Sequence, residues 1–339
     1  MGKVLIIAEA GVNHNGSLEL AKRLVDVAKE SGADIVKFQT ANLRALVSKS
    51  APMAEYQKQN TGKEEAQFTM LEKLLLTYRE FRELADYCKA KEIQFLSTPF
   101  DIDSVRFLED LVELWKIPSG EITNLPYLIE IAKTGKKVIL STGMSTIAEV
   151  RDAVEILRKF GTKELILLHC TTQYPAPYEE VNLKAMLTLK NTFDVPVGYS
   201  DHTRGTEVAV AAAAMGAAVI EKHFTLSRAM EGPDHKASLE PDELKELVRE
   251  IRNIEKAMGD GRKEPSVSEM ANMEVARKSI VTSKPIRAGE SFTEDNLTTK
   301  RPGSGISPMK WFEVVGQIAM RDYEEDELVD RESTGGDHT

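Results

Sequence analysis

The sequence predicts an α/β protein, a closed (β/α)8 barrel followed by a small β-rich unit. Three features of the 339 residues carry that expectation. Eight short apolar runs are spaced along the first two thirds of the chain. Helix-period stripes lie between most of them, the pattern of parallel βα units. Polar or charged residues stand at or just beyond the ends of the runs, on the face where such a barrel builds its site. An open doubly wound sheet is the rival architecture. No Gly-x-Gly-x-x-Gly follows the first run, however, and no Walker loop occurs.

Taken in order, Val4–Ala8 leads to Glu9, with turn residues from Asn13 to Gly16. After Ser17, Ala21, Leu24, Val25 and Ala28 form an i, i+3, i+4, i+7 stripe. Ile35–Phe38 carries Lys37 and leads to Gln39. Thr77 with Glu80 fits a capping box ahead of Phe81, Leu84, Ala85 and Cys88. Gln94–Ser97 leads to Thr98, Leu114–Ile117 carries Lys116 and leads to Ser119, and Lys137–Leu140 leads to Ser141. Thr146 with Glu149 repeats the capping signal before Val150, Val154 and Leu157. Leu165–Leu168 runs into His169 and Cys170, and Val195–Tyr199 into Ser200 and His202. Arg204–Met215 is alanine-rich and helix-prone. Val219–Phe224 contains Glu221 and His223, and Pro241 suits the first turn of a helix carrying Leu244, Leu247, Val248, Ile251 and Ile254.

Two stretches break the rhythm. Val47 to Thr69 is a long polar excursion, read either as a lid or dimer contact or as a solvated insert. Gly259 to Asn272 has little periodicity and reads as a linker. The expected division is therefore a barrel over 1–258, a linker over 259–274, a small β-rich domain over 275–330 and a disordered tail over 331–339.

Composition narrows the function classes. With 42% hydrophobic residues there is ample material for a core, which excludes disorder as the main state. A formal charge of −10 disfavours nucleic acid or an anionic membrane as partner, so any anionic ligand needs a local basic cluster. Two cysteines, Cys88 and Cys170, exclude a disulfide scaffold and fit a reduced, cytoplasmic setting. Glu9 interrupts the first apolar run too early for a signal peptide, and no run approaches the ~20 apolar residues of a membrane span.

The strand ends supply the chemistry. His202 and His223 belong to neighbouring strands roughly 5 Å apart, so both imidazoles can meet one octahedral ion that keeps open positions, such as Mn²⁺ or Mg²⁺. They equally read as two hydrogen-bonding core histidines. Glu221 shares a strand face with His223, placed to deprotonate a water or to hold a histidine or lysine. Glu9 stands across the mouth, for acid/base or hydroxyl-binding work or for structural pairing. Lys37 and Lys116, with the hydroxyls of Thr98, Ser119, Ser141 and Ser200, suit a phosphate or carboxylate. Tyr174 and Tyr178 lie in the proline-stiffened segment HCTTQYPAPY. A His169–Cys170 nucleophilic pair is geometrically poor, because adjacent strand residues face opposite ways.

The ordered motifs IAEAGVNHNGS, ADIVKFQT, FLSTPFD, KIPSGE, ILSTGMS, HCTTQYPAPYE, GYSDHT, IEKHFTL, GPDHKASL and KRPGSGISP span nearly the whole chain. In that order they resemble the sialic acid synthases, of the N-acetylneuraminate or N,N′-diacetyllegionaminate synthase type with a C-terminal antifreeze-like (SAF) domain. The resemblance implies condensation of phosphoenolpyruvate with an open-chain N-acetylmannosamine-type sugar and water. The products are a nine-carbon 2-keto acid and phosphate, formed by C–O cleavage. It implies that Lys37, Thr98, Lys116, Ser119, Ser141 and Ser200 surround phosphoenolpyruvate, and that Glu221 activates the water. Glu9, Gln39, Tyr174 and Asp234 then fall on the sugar side, Glu9 and Asp234 also in proton transfer. His202 and His223 hold a divalent metal, Mn²⁺ first and Mg²⁺ or Co²⁺ as alternatives. The resemblance further implies a homodimer with swapped SAF domains, in which Arg301 reaches the partner's barrel and the sugar N-acyl group.

One position departs from the pattern. Enzymes acting on N-acetylmannosamine often carry asparagine two residues before the matched tyrosine, and Thr172 stands there. This is closer to the legionaminic acid synthases, whose 2,4-diacetamido-2,4,6-trideoxymannose replaces hydroxyls by an acetamido group and a methyl. Two other readings remain: a different metal-dependent phosphoenolpyruvate–aldose condensing enzyme, and a non-enzymatic carbohydrate-binding protein.

Overall fold

The computed structural model describes residues 2–47, 51–52, 58 and 66–329. The chain divides after Asp260 into two compact units. The first is built on eight strands: β1 Leu5–Gly11, β2 Ile35–Thr40, β3 Gln94–Pro99, β4 Leu114–Ile117, β5 Lys137–Ser141, β6 Leu165–Cys170, β7 Val197–Asp201 and β8 Val219–His223. The hydrogen-bonded order is β3-β2-β1-β8-β7-β6-β5-β4, and every pair is parallel. β3 and β4 lie side by side and close the barrel without a backbone ladder between them. This is a (β/α)8 barrel, not an open sheet.

A helix follows each strand: α1 Leu18–Glu30, α2 Tyr78–Ala90, α3 Ile102–Leu108, α4 Leu125–Lys133, α5 Ile147–Phe160, α6 Ala185–Phe193, α7 Glu207–Ala214 and α8 Pro241–Ala257. Their starts are written in the sequence. The capping boxes Thr77/Glu80 and Thr146/Glu149 are both formed, and the Ser17 hydroxyl accepts from the Leu20 amide. α1 buries Ala21, Leu24, Val25 and Ala28, the stripe the spacing predicts. α7 turns Ala209, Ala212 and Ala213 inward, and small side chains let a helix lie close to the sheet. α3, α4 and α6 are shorter helices that the periodicity does not single out; Asp101 and Asn124 cap the first two. The barrel floor is tied by Asp34, whose carboxylate accepts from Lys3 Nζ (2.6 Å), the Ile6 amide (2.9 Å) and Arg252 Nη2 (2.6 Å).

The second unit opens with α9, Val267–Ala276. Part of the stretch read as a linker, 259–274, is therefore helical. The Ser266/Glu269 capping box starts a helix there, but it buries none of its own side chains, so no apolar stripe announces it. Beyond it β9 Ser279–Thr282 pairs antiparallel with β10 Leu297–Lys300. Isolated bridges, Ile286 with Tyr323 and Ser291 with Ile318, supply most of the remaining β character. They enclose a small core of Ile280, Ile286, Phe292, Leu297, Tyr323 and Val329. The predicted tail over 331–339 and most of the 47–69 excursion lie outside the described residues. From that excursion the structure shows a short helix at Gln67–Glu72, whose Met70 packs on Val12.

Candidate active site

Every predicted site residue except Arg301 lines one cavity of about 520 Å³ at the C-terminal ends of the strands. Arg301 lies in the second unit, where its Nε donates to the Ala276 carbonyl at 3.1 Å. Strand register explains the convergence. Glu9 on β1 stands level with Lys37 on β2 and His223 on β8, and Ser200 on β7 stands level with Glu221 on β8. Parallel strands in a common register place alternate side chains of successive strands on the same inner face.

Lys37 and Lys116 are 3% exposed, against the usual habit of a strand-end lysine to reach solvent. Lys37 Nζ is 2.7 Å from Glu9 Oε2 and 3.7 Å from Glu221 Oε2, and it donates to Thr98 Oγ1 at 3.0 Å. Lys116 Nζ is 3.4 Å from Glu221 Oε1 and donates to Ser141 Oγ at 2.7 Å. Ser200 Oγ donates to Glu221 Oε1 at 2.9 Å, and Gln39 Nε2 to Glu9 Oε1 at 3.0 Å. Glu221 therefore bridges both lysines. Ser119 Oγ accepts from the Gly143 amide and lies 3.2 Å from Cys170 Sγ.

Burial and charge set the protonation of these groups. Burial opposes the Glu221 charge, but Lys116, Lys37 and the Ser200 hydrogen bond outweigh it and hold the carboxyl at about 2. Burial also works against the Lys37 ammonium, yet Glu221 and Glu9 together raise it. For Lys116 burial prevails, and its pKa is lowered despite Glu221. Burial raises Glu9 in spite of Lys37. Asp234 is pushed up to about 7 by burial and then by the Glu9 charge. The site thus holds one firmly ionised carboxylate, Glu221, and two whose pKa values are raised, Glu9 and Asp234, a divergence of the kind that separates acid from base roles.

The two histidines fit a metal. Burial pulls His202 down to about 4 and His223 well below its usual value, the latter helped by His202 and Lys37, so both are neutral ligands in waiting. Their rings lie 5.5 Å apart. The Thr171 carbonyl, 2.7 Å from His202 Nδ1, can only accept, so the proton sits on Nδ1 and the lone pair on Nε2, which lies 3.5 Å from Ser200 Oγ. His223 Nδ1 is buried with no hydrogen-bond partner, a cost that a core histidine would not carry unanswered. The Tyr174 ring stands 4.1 Å from that of His202 and 5.6 Å from that of His223. No cluster of three or more His, Cys, Asp or Glu arranged for a metal occurs among the described residues.

A family model described as the NeuB family matches residues 24–263. The chain belongs to the NeuB family. A SAF domain model matches residues 277–331. N,N'-diacetyllegionaminic acid synthase of Campylobacter jejuni is 56% identical over 332 residues, covering 97% of this chain and 99% of that protein. The Legionella pneumophila protein of the same name is 48% identical, covering 92% of this chain and 89% of its own. Among solved structures, N-acetylneuraminic acid synthetase from Leptospira borgpetersenii superposes with a TM-score of 0.70 at 38% identity, covering 80% of this chain and 91% of that one.

In this NeuB-family barrel, sequence reasoning passed over Gly143, Lys222 and Asp201, which stand next to residues that line the cavity. Gly143 lines no chemistry but makes room: a Cβ there would stand 2.3 Å from Thr172 Oγ1 and 2.9 Å from both Cys170 Sγ and Ser119 Oγ. Lys222 and Asp201 form a fully buried pair at 2.6 Å, each one residue from a metal-fitting histidine. A lysine inside the apolar run of β8 was the signal for it. The His169–Cys170 dyad is absent, as expected: His169 Nε2 is tied to the Val181 carbonyl at 2.6 Å, and burial raises the Cys170 thiol.

Proposed function

We propose that this barrel mouth condenses phosphoenolpyruvate with 2,4-diacetamido-2,4,6-trideoxymannose and water, giving N,N'-diacetyllegionaminate and phosphate. The observation that carries it is the meeting of two buried lysines, a ring of hydroxyls and two neutral imidazoles in one cavity. Thr172, whose buried Oγ1 has no hydrogen-bond partner, and the names of the two relatives above favour the diacetamido sugar over N-acetylmannosamine.

The residues take the following roles. Lys37 and Lys116 turn from the carboxylates to the phosphate and carboxylate of phosphoenolpyruvate, and Thr98, Ser119, Ser141 and Ser200 donate hydrogen bonds to the same anion. As the ammoniums turn away, Glu221 loses the charges that hold it near 2 and becomes basic enough to take a proton from water. Glu9, Gln39, Tyr174 and Asp234 orient the open-chain sugar, with a protonated Glu9 or Asp234 placed to protonate the aldehyde oxygen. Carbon 3 of the enolpyruvate bonds to the aldehyde carbon, the water oxygen bonds to carbon 2, and the bond from carbon 2 to the phosphate oxygen breaks. His202 and His223 would hold Mn²⁺, or Mg²⁺ or Co²⁺, which when bound supplies Lewis acidity toward the sugar carbonyl. We extend the reading to a cytoplasmic homodimer with exchanged SAF units, in which Arg301 serves the partner's sugar site.

The test is phosphate release from phosphoenolpyruvate with Mn²⁺, comparing the two sugars. We expect turnover with both and a higher kcat/KM with the diacetamido sugar. A preference for N-acetylmannosamine would reverse the substrate assignment, and no release with either would remove the reaction itself.

A further inference from the structure

The motifs around Asn13 to Gly16 and around Asp234 to Ser238 contain polar side chains that the reaction above does not use. In the structure they meet. His235 is fully buried and points away from the cavity, although Asp234 beside it lines the cavity. His235 Nδ1 lies 2.6 Å from Thr225 Oγ1, and its Nε2 lies 3.2 Å from Asn15 Oδ1. The Asn15 amide nitrogen in turn donates to the Glu231 carbonyl at 2.8 Å. That bond fixes Oδ1 as the acceptor and puts the imidazole proton on Nε2. Gly232 closes over the ring: a Cβ there would stand 2.6 Å from His235 Cδ2 and 3.1 Å from Asn15 Oδ1.

A second set of bonds lies alongside. Asn13 Nδ2 donates both its hydrogens, to the Phe224 carbonyl at 2.8 Å and to Ser238 Oγ at 2.9 Å. Ser238 Oγ donates to the Asp234 carbonyl at 2.7 Å. Asn13, His235 and Ser238 are each at most 2% exposed. The loop between β8 and α8 is thus fastened at both ends to the turn after β1, and between the fastenings Pro233 and Asp234 face the cavity, Asp234 with the ionisable side chain.

We propose that Asn13, Asn15, His235 and Ser238 are positioning residues. They form a latch between the β1–α1 turn and the β8–α8 loop, and the latch sets where the Asp234 carboxyl stands against the acceptor sugar. The proposal rests on the reading of Asp234 as a sugar-side residue. A loop of irregular backbone holds a side chain to within a fraction of an ångström only if its own bonds are fixed, and loss of that precision is read in the substrate the side chain touches.

The experiment measures KM for the diacetamido sugar, KM for phosphoenolpyruvate and kcat in full-length Asn15→Gly, Ser238→Ala and Asp234→Asn. Asn15 has φ of 49°, a conformation glycine adopts freely, so Asn15→Gly removes the bond to His235 without straining the turn. We expect Asn15→Gly and Ser238→Ala each to raise the sugar KM roughly tenfold, the size of one lost buried hydrogen bond, while the phosphoenolpyruvate KM stays within about twofold. Asp234→Asn is expected to move the sugar parameters in the same direction. If Asp234→Asn alters sugar use and the latch variants do not, or if they shift both KM values equally, the latch is overturned. If Asp234→Asn leaves sugar use unchanged, the sugar-side reading of Asp234 fails, and the latch proposal with it.

Discussion

His223 gathers the site's demands into one side chain. It stands level with Glu9, two residues from Glu221, and its Nδ1 is buried without a partner. Replacing it removes one of two nitrogen donors and leaves His202 with a single-ligand site that cannot hold a hydrated ion against solvent. His223→Ala is expected to lose at least roughly a hundredfold in kcat/KM and to abolish Mn²⁺ binding measured by titration of the metal alone. Because the change only shortens a cavity-lining side chain, the circular dichroism spectrum is expected to match the parent. Full activity in metal-stripped buffer would remove the metal from the reaction. The residue scale is also where the sequence was least explicit. Glu221 reads equally well as a base or as the partner of a lysine, and in the structure it bridges Lys37 and Lys116. Spacing along one strand assigns a face; it does not say which charge a side chain from two or four strands away brings to that face.

At the level of elements the sequence was far more legible. All eight strands were marked by apolar runs, because a strand covered on both faces has no polar side to interrupt it. The structure extends most of them by one to three residues into the polar ends, as β1 runs to Gly11 and β3 to Pro99. Those extra residues carry site side chains and so carry no apolar signal. The long helices were marked by capping boxes and stripes. α3 and α6 escaped because two turns of helix do not establish a period, and α9 because none of its faces is buried. Contacts between elements are not written in any local pattern. Asp34 is an example: it joins β1 to α8 through Ile6 and Arg252. Burial opposes its charge, but the bonds from Lys3, Ile6 and Arg252 outweigh burial and lower its pKa below the ordinary 3.8. A depressed carboxyl stabilises the fold above its unfolded pKa and loses that contribution as pH falls through the folded value. Asp34→Asn is therefore expected to lower the thermal midpoint at pH 7, with the gap to the parent narrowing below about pH 4. A gap independent of pH would show that the carboxylate charge is not what ties the floor.

For the whole molecule, the two units pose the question of why a barrel should carry a small SAF domain at all. The small unit has a modest core and leaves Met309, Phe312 and Met320 more than half exposed. If Arg301 serves a partner's sugar site, Arg301→Ala is expected to raise the sugar KM by roughly tenfold or more and leave the phosphoenolpyruvate KM nearly unchanged. Sedimentation of the parent is expected to show a dimer. An unchanged sugar KM would detach the SAF unit from catalysis.

The barrel itself has one seam. Seven of its eight strand junctions carry backbone ladders, and the junction of β3 with β4 carries none. Lys37 reaches across to Thr98 on one side of that seam, and Lys116 stands on the other. Elsewhere, spreading two strands breaks a row of hydrogen bonds; here it separates only side chains. The mouth therefore has a soft side, and it is the side on which both ammoniums stand. Amide exchange is expected to be fastest there among the barrel strands and to slow when phosphoenolpyruvate binds, since the anion would then be the strut that the backbone does not provide. Uniform protection around the ring would mean that packing alone makes the eighth junction as stiff as the other seven.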